Sequence, residues 1–239
     1  MKKKILVTGA SRGIGLAVSN YLLRKNYSVI GIARNFSKSS LEHEDFVPIE
    51  LDLSDLKSLP KRFKELSQEH PDVCAILCNA GRGCFGNLEE ISYGEISSIM
   101  ELNFLSHAFL VKSYLPHFKK RRGGNIIFIG SEAAIAGKRK GSIYCATKFA
   151  LRGFAQALRD ECSSANISVS VINPGMTQTD FFQNLSFSPG KESFEHILPE
   201  DIAKVVFMLL EARPGTVFEE INLSPQKKKI EISSFGARN

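Results

Sequence analysis

The residues Thr8-Gly9-Ala10-Ser11-Arg12-Gly13-Ile14-Gly15 decide the fold of this chain. They follow a short apolar run, residues 4–8, and open a segment with helical periodicity. Glycine permits a tight turn and lets a phosphate approach the backbone, and the free N–H groups at a helix N-terminus attract anions. This placement between a strand and a helix predicts a loop that holds the pyrophosphate of a dinucleotide.

The rest of the chain repeats the same alternation of apolar, β-branched runs with longer helical segments. Several runs are apolar throughout, as in parallel strands that are covered on both faces. We predict strands at residues 4–8, 28–33, 46–51, 73–78, 125–130, 168–173 and 217–223. We predict helices near residues 14–25, 54–69, 92–118, 144–163 and 200–211. With right-handed crossovers, this order gives an α/β, doubly wound sheet of about seven parallel strands with helices on both faces.

The chain of 239 residues is long enough for one large domain, and no linker, repeat or low-complexity segment divides it. We therefore predict a single dinucleotide-binding and catalytic domain over residues 1–239. Residues 225–239 are expected to form a polar C-terminal tail.

The composition narrows the functional classes. No apolar run approaches the about 18 residues of a membrane span, and residues 5–7 are too short for a signal peptide, so we expect a cytoplasmic protein with no membrane partner. The five cysteines suggest no disulfide framework and the five histidines no metal site. The net charge of +6 comes without a basic, aromatic-interleaved stripe, so it favours anionic small molecules over nucleic acid.

Six further landmarks follow the glycine loop in a fixed order. They are Asp52, Asn79-Ala80-Gly81, Asn103, Ser131, Tyr144-x-x-x-Lys148 and Asn173-Pro174-Gly175. With these landmarks, and with glycines spaced G-x-x-x-G-x-G, the chain resembles the short, non-extended branch of the short-chain dehydrogenase/reductase family from about residue 3 to about residue 224. The resemblance implies a Rossmann-type fold and an oxidoreductase that acts on CH–OH or C=O groups.

The resemblance also implies roles for individual residues. Asn103, Ser131, Tyr144 and Lys148 would be the catalytic residues. The implied cofactor-binding residues are Gly9, Ser11, Arg12, Gly13, Ile14, Gly15, Arg34, Asp52, Leu53, Asn79, Ala80, Gly81, Tyr144, Lys148, Pro174, Gly175, Thr177 and Thr179. Two features depart from the family: Cys78 stands where an asparagine is usual, and the glycine-rich ending of tetrameric relatives is lacking.

The chemistry expected of Tyr144 follows from its neighbours. A reduced ketone develops negative charge on oxygen, so the site must donate a proton there. Lys148 lies one helical turn from Tyr144, and its ammonium should lower the pKa of the phenol, while Ser131 can hydrogen-bond the substrate oxygen. The resemblance adds that Lys148 holds the nicotinamide ribose and that Asn103 positions a relay water.

We expect NADP(H) as the cofactor. Enzymes that select NAD usually carry an acid at the end of the second strand, about 20 residues after the glycine loop. Here that strand ends Gly31-Ile32-Ala33-Arg34-Asn35, with no carboxylate before Glu42. Arg34 and Arg12 could grip a 2′-phosphate.

The substrate side is less specific. In relatives, the stretch at about 180–198 is a mobile flap over the substrate. Its Phe181, Phe182, Leu185 and Phe187 either line an apolar pocket or dock a helix on the core. Small residues recur on one stripe after Tyr144, at Ala146, Ala150, Gly153 and Ala157, and either pack on the chain's own sheet or on a second copy in a homodimer or homotetramer.

The sequence supports an enzyme that moves a hydride between the nicotinamide and a carbonyl or secondary alcohol of a small, fairly apolar substrate, with Tyr144 as general acid and base. The alternative is a catalytically silent NADP(H)-binding regulator on the same fold. The presence of all four catalytic residues argues against it.

Overall fold

A seven-stranded sheet runs through the computed structural model, which describes residues 2–37 and 39–232. All neighbouring strands are parallel, in the spatial order β3-β2-β1-β4-β5-β6-β8. The strands are β1 (Lys4–Thr8), β2 (Ser28–Ala33), β3 (Phe46–Glu50), β4 (Val73–Cys78), β5 (Gly124–Ile129), β6 (Ile167–Pro174) and β8 (Glu220–Leu223). This order confirms the predicted doubly wound α/β sheet, with its reversal point beside β1.

Helices cover both faces of the sheet. They are α1 (Gly13–Arg24), α2 (Leu59–Glu69), α3 (Tyr93–Met100), α4 (Ser106–Arg121), α5 (Ser142–Cys162) and α6 (Pro199–Leu210). The side chains of β1 alternate between two cores, because successive residues of a strand point to opposite faces. Ile5 and Val7 pack in the core under α1 and α6, whereas Leu6 packs in the core under α2, α4 and α5.

The helix predicted from residue 92 to residue 118 is wrong in one respect. The structure divides it into α3, a π-helical turn (Glu101–Leu105) and α4. In that turn the Ser106 N–H donates to the carbonyl of Glu101, five residues back. A π turn takes up one more residue than an α turn and is frequent at functional sites.

The tail predicted at 225–239 also needs correction. Part of it forms β9 (Ile230–Ile232), which pairs antiparallel with β7 (Phe187–Pro189) in the predicted flap. Residues 233–239 of that prediction lie outside the described residues. The strand predicted at 217–223 begins only at Glu220, and the helix predicted at 54–69 begins at Leu59.

The helices of the described residues include none that is long and apolar enough to span a membrane.

Candidate active site

The glycine loop connects β1 to α1 at the carboxyl edge of the sheet. Gly9 has a φ of +69°, which side-chain-bearing residues rarely adopt. A Cβ on Gly15 would lie 2.2 Å from the Gly9 carbonyl oxygen, so the turn closes only around glycine. The helix starts without a side-chain cap and without an acid in its first turn. Its free N–H groups therefore fit the pyrophosphate of a dinucleotide.

The turn after β4 is bonded directly to the glycine loop. The Asn79 side-chain amide donates to the carbonyl of Thr8 over 2.9 Å. The Thr8 hydroxyl in turn accepts the N–H groups of Asn79 and Ala80 at 2.9 and 3.0 Å. The amide of Asn79 thus holds two loops together, and the residues predicted to line the adenine ribose lie beside those predicted to hold the phosphates.

Asn103 is fully buried in the π-helical turn, and its side chain is bonded to the loop that follows Gly81. Its Oδ1 accepts the N–H of Arg82 at 3.0 Å, and its Nδ2 donates to the Arg82 carbonyl at 2.9 Å and to the Thr147 hydroxyl at 3.2 Å. A Cβ on Gly81 would lie 3.1 Å from Asn103 Oδ1. The side chain is therefore occupied in fixing the loop after Gly81.

Ser131, Tyr144 and Lys148 meet where β5 and α5 approach each other. Ser131 begins the turn after β5 and accepts the Ala133 N–H at 3.1 Å, and it acts to lower the pKa of the Tyr144 phenol. Tyr144 is 8% exposed and Lys148 5% exposed. The Lys148 ammonium lies 5.8 Å from the centre of the Tyr144 ring and donates to the Ile129 carbonyl at 2.8 Å.

The expected lowering of the Tyr144 pKa is wrong for this arrangement of residues. Burial raises the pKa of Tyr144 to about 12, although Ser131 acts in the opposite direction. Burial also lowers the pKa of Lys148 to about 8. The largest cause in both cases is loss of water around the charged form.

The residues predicted to select the cofactor lie after β2, at Arg34, and in the glycine loop before α1, at Arg12. Arg34 and Arg12 are both exposed. Hydrogen bonds from Ser54 lower the pKa of Asp52, and the positive charge of Arg34 adds a smaller effect in the same direction. The sequence argument missed Glu50, which the sheet places beside the end of β2. Its carboxylate accepts the Phe36 N–H at 3.2 Å.

The segment after β6 completes the edge of the site. Gly175 donates its N–H to the Leu223 carbonyl at 2.8 Å, and the buried Thr177 hydroxyl donates to the Gly175 carbonyl at 3.1 Å. Thr179 starts the flap and lies against the glycine loop, since a Cβ on Gly13 would be 3.5 Å from its side chain.

Pro174 is the last residue of β6. The other predicted cofactor residues are nearby in sequence: Ser11 and Ile14 in the glycine loop, and the buried Leu53 after Asp52.

His107 is a buried residue of this region that sequence reasoning passed over. Its Nε2 lies 2.7 Å from the carbonyl of Ala80 and must carry the proton, because a carbonyl can only accept. Burial lowers its pKa to about 4, so the ring is neutral. Its Nδ1 has no hydrogen-bond partner among the described residues. Its position four residues after Asn103 was the available signal.

The family model described as short chain dehydrogenase matches residues 3–188. The chain belongs to the short-chain dehydrogenase family. Within the family it is 30% identical over 240 residues to an NADP-dependent 3-hydroxy acid dehydrogenase of Schizosaccharomyces pombe, covering 93% of this chain and 92% of the relative. It is 28% identical over 249 residues to retinol dehydrogenase 8 of Bos taurus, with 89% and 79% covered.

A solved structure of this short-chain dehydrogenase fold gives a close superposition. An alcohol dehydrogenase from the archaeon Thermococcus sibiricus, complexed with 5-hydroxy-NADP, matches with a TM-score of 0.84 and 27% identity. The match covers 96% of this chain and 99% of that one. It confirms the predicted fold class over nearly the whole length.

Proposed function

We propose that this short-chain dehydrogenase is an NADP(H)-dependent oxidoreductase that interconverts a carbonyl and a secondary alcohol on a small, fairly apolar substrate. One observation carries the proposal: Tyr144 is buried, its ring centre lies 5.8 Å from the buried ammonium of Lys148, and Ser131 acts to lower the pKa of its phenol. All three lie at the edge of the sheet where the glycine loop opens. Ligands bind at this edge in doubly wound folds.

The glycine loop supports the cofactor assignment for two reasons. The loop closes tightly because Gly15 has no Cβ, and the N-terminus of α1 has no side-chain cap, so its N–H groups are free to bind phosphate. Arg34 and Arg12 are exposed at the position where a 2′-phosphate would bind. The names of the Schizosaccharomyces pombe relative and the Thermococcus structure both include NADP, in agreement with this assignment.

Residues of this chain carry out the proton transfer. The bound nicotinamide supplies or accepts the hydride at the substrate carbon. Tyr144 gives its phenolic proton to the substrate oxygen during reduction and takes it back during oxidation. Ser131 donates a hydrogen bond to the same oxygen. Lys148 stays protonated at neutral pH, because its pKa is about 8, and stabilises the phenolate that forms beside it.

The stripe of small residues on α5 supports a homodimer or homotetramer. Ala146, Gly153 and Ala157 are exposed and Ala150 is half-buried, so the stripe does not pack on the chain's own sheet. A Cβ on Gly153 would meet nothing within 4 Å. We propose that a second copy covers this face, since small residues let two helices approach closely.

The test of the function is Tyr144→Phe. On a ketone that the wild type reduces with NADPH, the variant should lose about 10²–10⁴-fold in kcat, because general acids contribute this much. Its affinity for NADPH, measured by fluorescence titration, should stay unchanged. Tyr93→Phe is the matched control, since Tyr93 is 91% exposed on α3. If Tyr144→Phe keeps more than about a tenth of the activity, Tyr144 is not the acid.

A further inference from the structure

Five aromatic rings form a closed circuit that includes the ring of Tyr144. The ring centres are 5.1 Å apart between Tyr144 and Phe85, and 4.9 Å apart between Phe85 and Phe187. From Phe187 the circuit passes to Phe182 at 5.7 Å and on to Phe181 at 5.1 Å. It returns from Phe181 to Tyr144 at 5.9 Å. We call these five residues the aromatic ring cluster.

Two separate parts of the chain supply its walls. Phe85 comes from the loop after β4, and the other phenylalanines come from the flap. The loop and the flap meet at Gly83, where a Cβ would lie 2.8 Å from the Phe85 ring and 3.0 Å from the Phe181 ring. Phe187 is fixed by a contact outside the cluster, because it pairs with Ile232 of β9 in an antiparallel sheet. The position of each wall is thus set by contacts outside the cluster.

The surroundings of the aromatic ring cluster are apolar. Cys84, Ile99 and Cys145 are buried against Tyr144, and Phe85 and Phe181 pack on them. The guanidinium of Arg82, on the same loop as Phe85, lies 3.2 Å from the carboxylate of Glu95. That charge is therefore already compensated, and the cluster suits an uncharged substituent.

A substrate must enter among these rings. Its carbonyl oxygen has to reach the hydroxyls of Tyr144 and Ser131, so the substituent beside the carbonyl lies next to the rings of Phe85 and Phe181. Aromatic rings attract one another in offset or edge-to-face pairs with centres about 4.5–7 Å apart, beyond what area burial gives. The spacings within the cluster fall in this range, so an aryl group beside the carbonyl can pair with the rings of Phe85 and Phe181 in the same way. A saturated ring of the same size cannot make such pairs.

Resting on the proposed function, we infer that the substrate is an aryl ketone or aryl aldehyde, or the corresponding aryl alcohol, and that Phe85 and Phe181 determine this specificity. The reaction is unchanged: the carbonyl carbon gains a hydride from NADPH and the oxygen gains a proton from Tyr144, giving the alcohol and NADP⁺. The aryl group takes no part in the chemistry and contributes only binding.

The experiment compares two ketones with equal numbers of heavy atoms, acetophenone and cyclohexyl methyl ketone. The wild type should show a kcat/KM about 10-fold or more higher for acetophenone. Phe85→Leu and Phe181→Leu should each lower this ratio about 2- to 12-fold, the range of one aromatic pair. NADPH titration shows that each variant is folded. Phe207→Leu is the matched control, because its ring contacts Tyr21 and lies on α6, on the opposite face of the sheet.

The outcomes separate the inference from the function on which it rests. If the wild type reduces both ketones equally well, the aryl specificity is wrong. If both leucine variants keep the wild-type ratio, Phe85 and Phe181 do not determine the specificity. In either case the proposed function stands. If Phe207→Leu lowers the ratio as much as the other two, the cluster is not the determinant. If NADPH is not oxidised with any ketone, aldehyde or 3-oxoacyl thioester, the proposed function itself is overturned, and the inference with it.

Discussion

The buried ammonium of Lys148 should lower the free energy of unfolding of this protein. The side chain is 5% exposed, and its ammonium donates to the carbonyl of Ile129 rather than to any carboxylate of the described residues. Burial without an opposite charge lowers its pKa from 10.5 to about 8. A charge that is buried for catalysis destabilises the fold that carries it.

The size of this effect follows from the pKa. At about 1.4 kcal/mol per pH unit, a fall from 10.5 to about 8 corresponds to roughly 3 kcal/mol at neutral pH. Lys148→Met removes this cost but leaves the carbonyl of Ile129 without its donor, which costs about 1 kcal/mol. We expect a net gain of about 2 kcal/mol in the free energy of unfolding. The melting temperature should rise about 4–8 °C.

The gain should depend on pH in one direction. Because the folded pKa of Lys148 lies below the unfolded pKa, the unfolded chain binds more protons between pH 8 and 10.5. The cost of the ammonium is complete below about pH 8 and disappears as the pH rises to 10.5. We expect the difference in the free energy of unfolding between Lys148→Met and the wild type, measured by urea unfolding, to be large at about pH 7 and smaller at about pH 10.

The control is Lys112→Met, which changes an exposed lysine of α4 and should alter stability by less than about 0.5 kcal/mol. Our reasoning is refuted if Lys148→Met is less stable than the wild type at neutral pH. It is also refuted if the difference is the same at both pH values. Loss of turnover and weaker NADPH binding in this variant belong to the proposed function and are measured separately.

Three further predictions concern the cofactor, the assembly and the flap. The wild type should bind NADPH about 30-fold or more tightly than NADH, and Arg34→Asp should remove this preference; equal wild-type affinities would contradict it. Ala157→Arg should lower the mass seen in light scattering without unfolding the protein, whereas a wild-type mass of one 26.5 kDa chain would rule out the oligomer. Lys229 lies 3.4 Å from the carboxylate of Glu195 in the flap segment, so Lys229→Glu should speed tryptic cleavage of the flap several-fold. Lys204→Glu, which breaks an exposed pair on α6, should not, and equal rates in the two variants would show that Lys229 does not hold the flap.

The strands at the centre of the sheet were predictable because they are buried on both faces, unlike the edge strands β3 and β8. Residues 4–8, 28–33 and 73–78 are largely apolar, and the structure gives β1, β2 and β4 the same bounds. β9 was missed for the opposite reason. It has three residues, follows Lys227-Lys228-Lys229 and leaves Ile230 and Ile232 exposed, so neither hydrophobicity nor periodicity marks it.

The residues of the candidate site could be predicted from the sequence, but their burial and the resulting pKa of Tyr144 could not. The order of Asn103, Ser131, Tyr144 and Lys148 indicated which side chains to expect at the sheet edge. The direction of the Tyr144 pKa depends on how completely Phe85 and Phe181 exclude water, which is a property of packing between distant segments. No local pattern carries that information.

The π-helical turn at Glu101–Leu105 sets a limit on how this part of the chain can vary. A π turn takes up one residue more than an α turn, so α3 and α4 keep the orientations that a regular helix with one residue fewer would give them. Deleting a single residue of the turn would therefore restore a regular helix and leave Leu110, Tyr114 and Phe118 of α4 facing the core that they now fill. An insertion or deletion elsewhere in α4 would instead rotate the residues that follow it by about 100° per residue. Between Tyr93 and Arg121, the π turn is therefore the place where the loss of one residue is expected to be tolerated best.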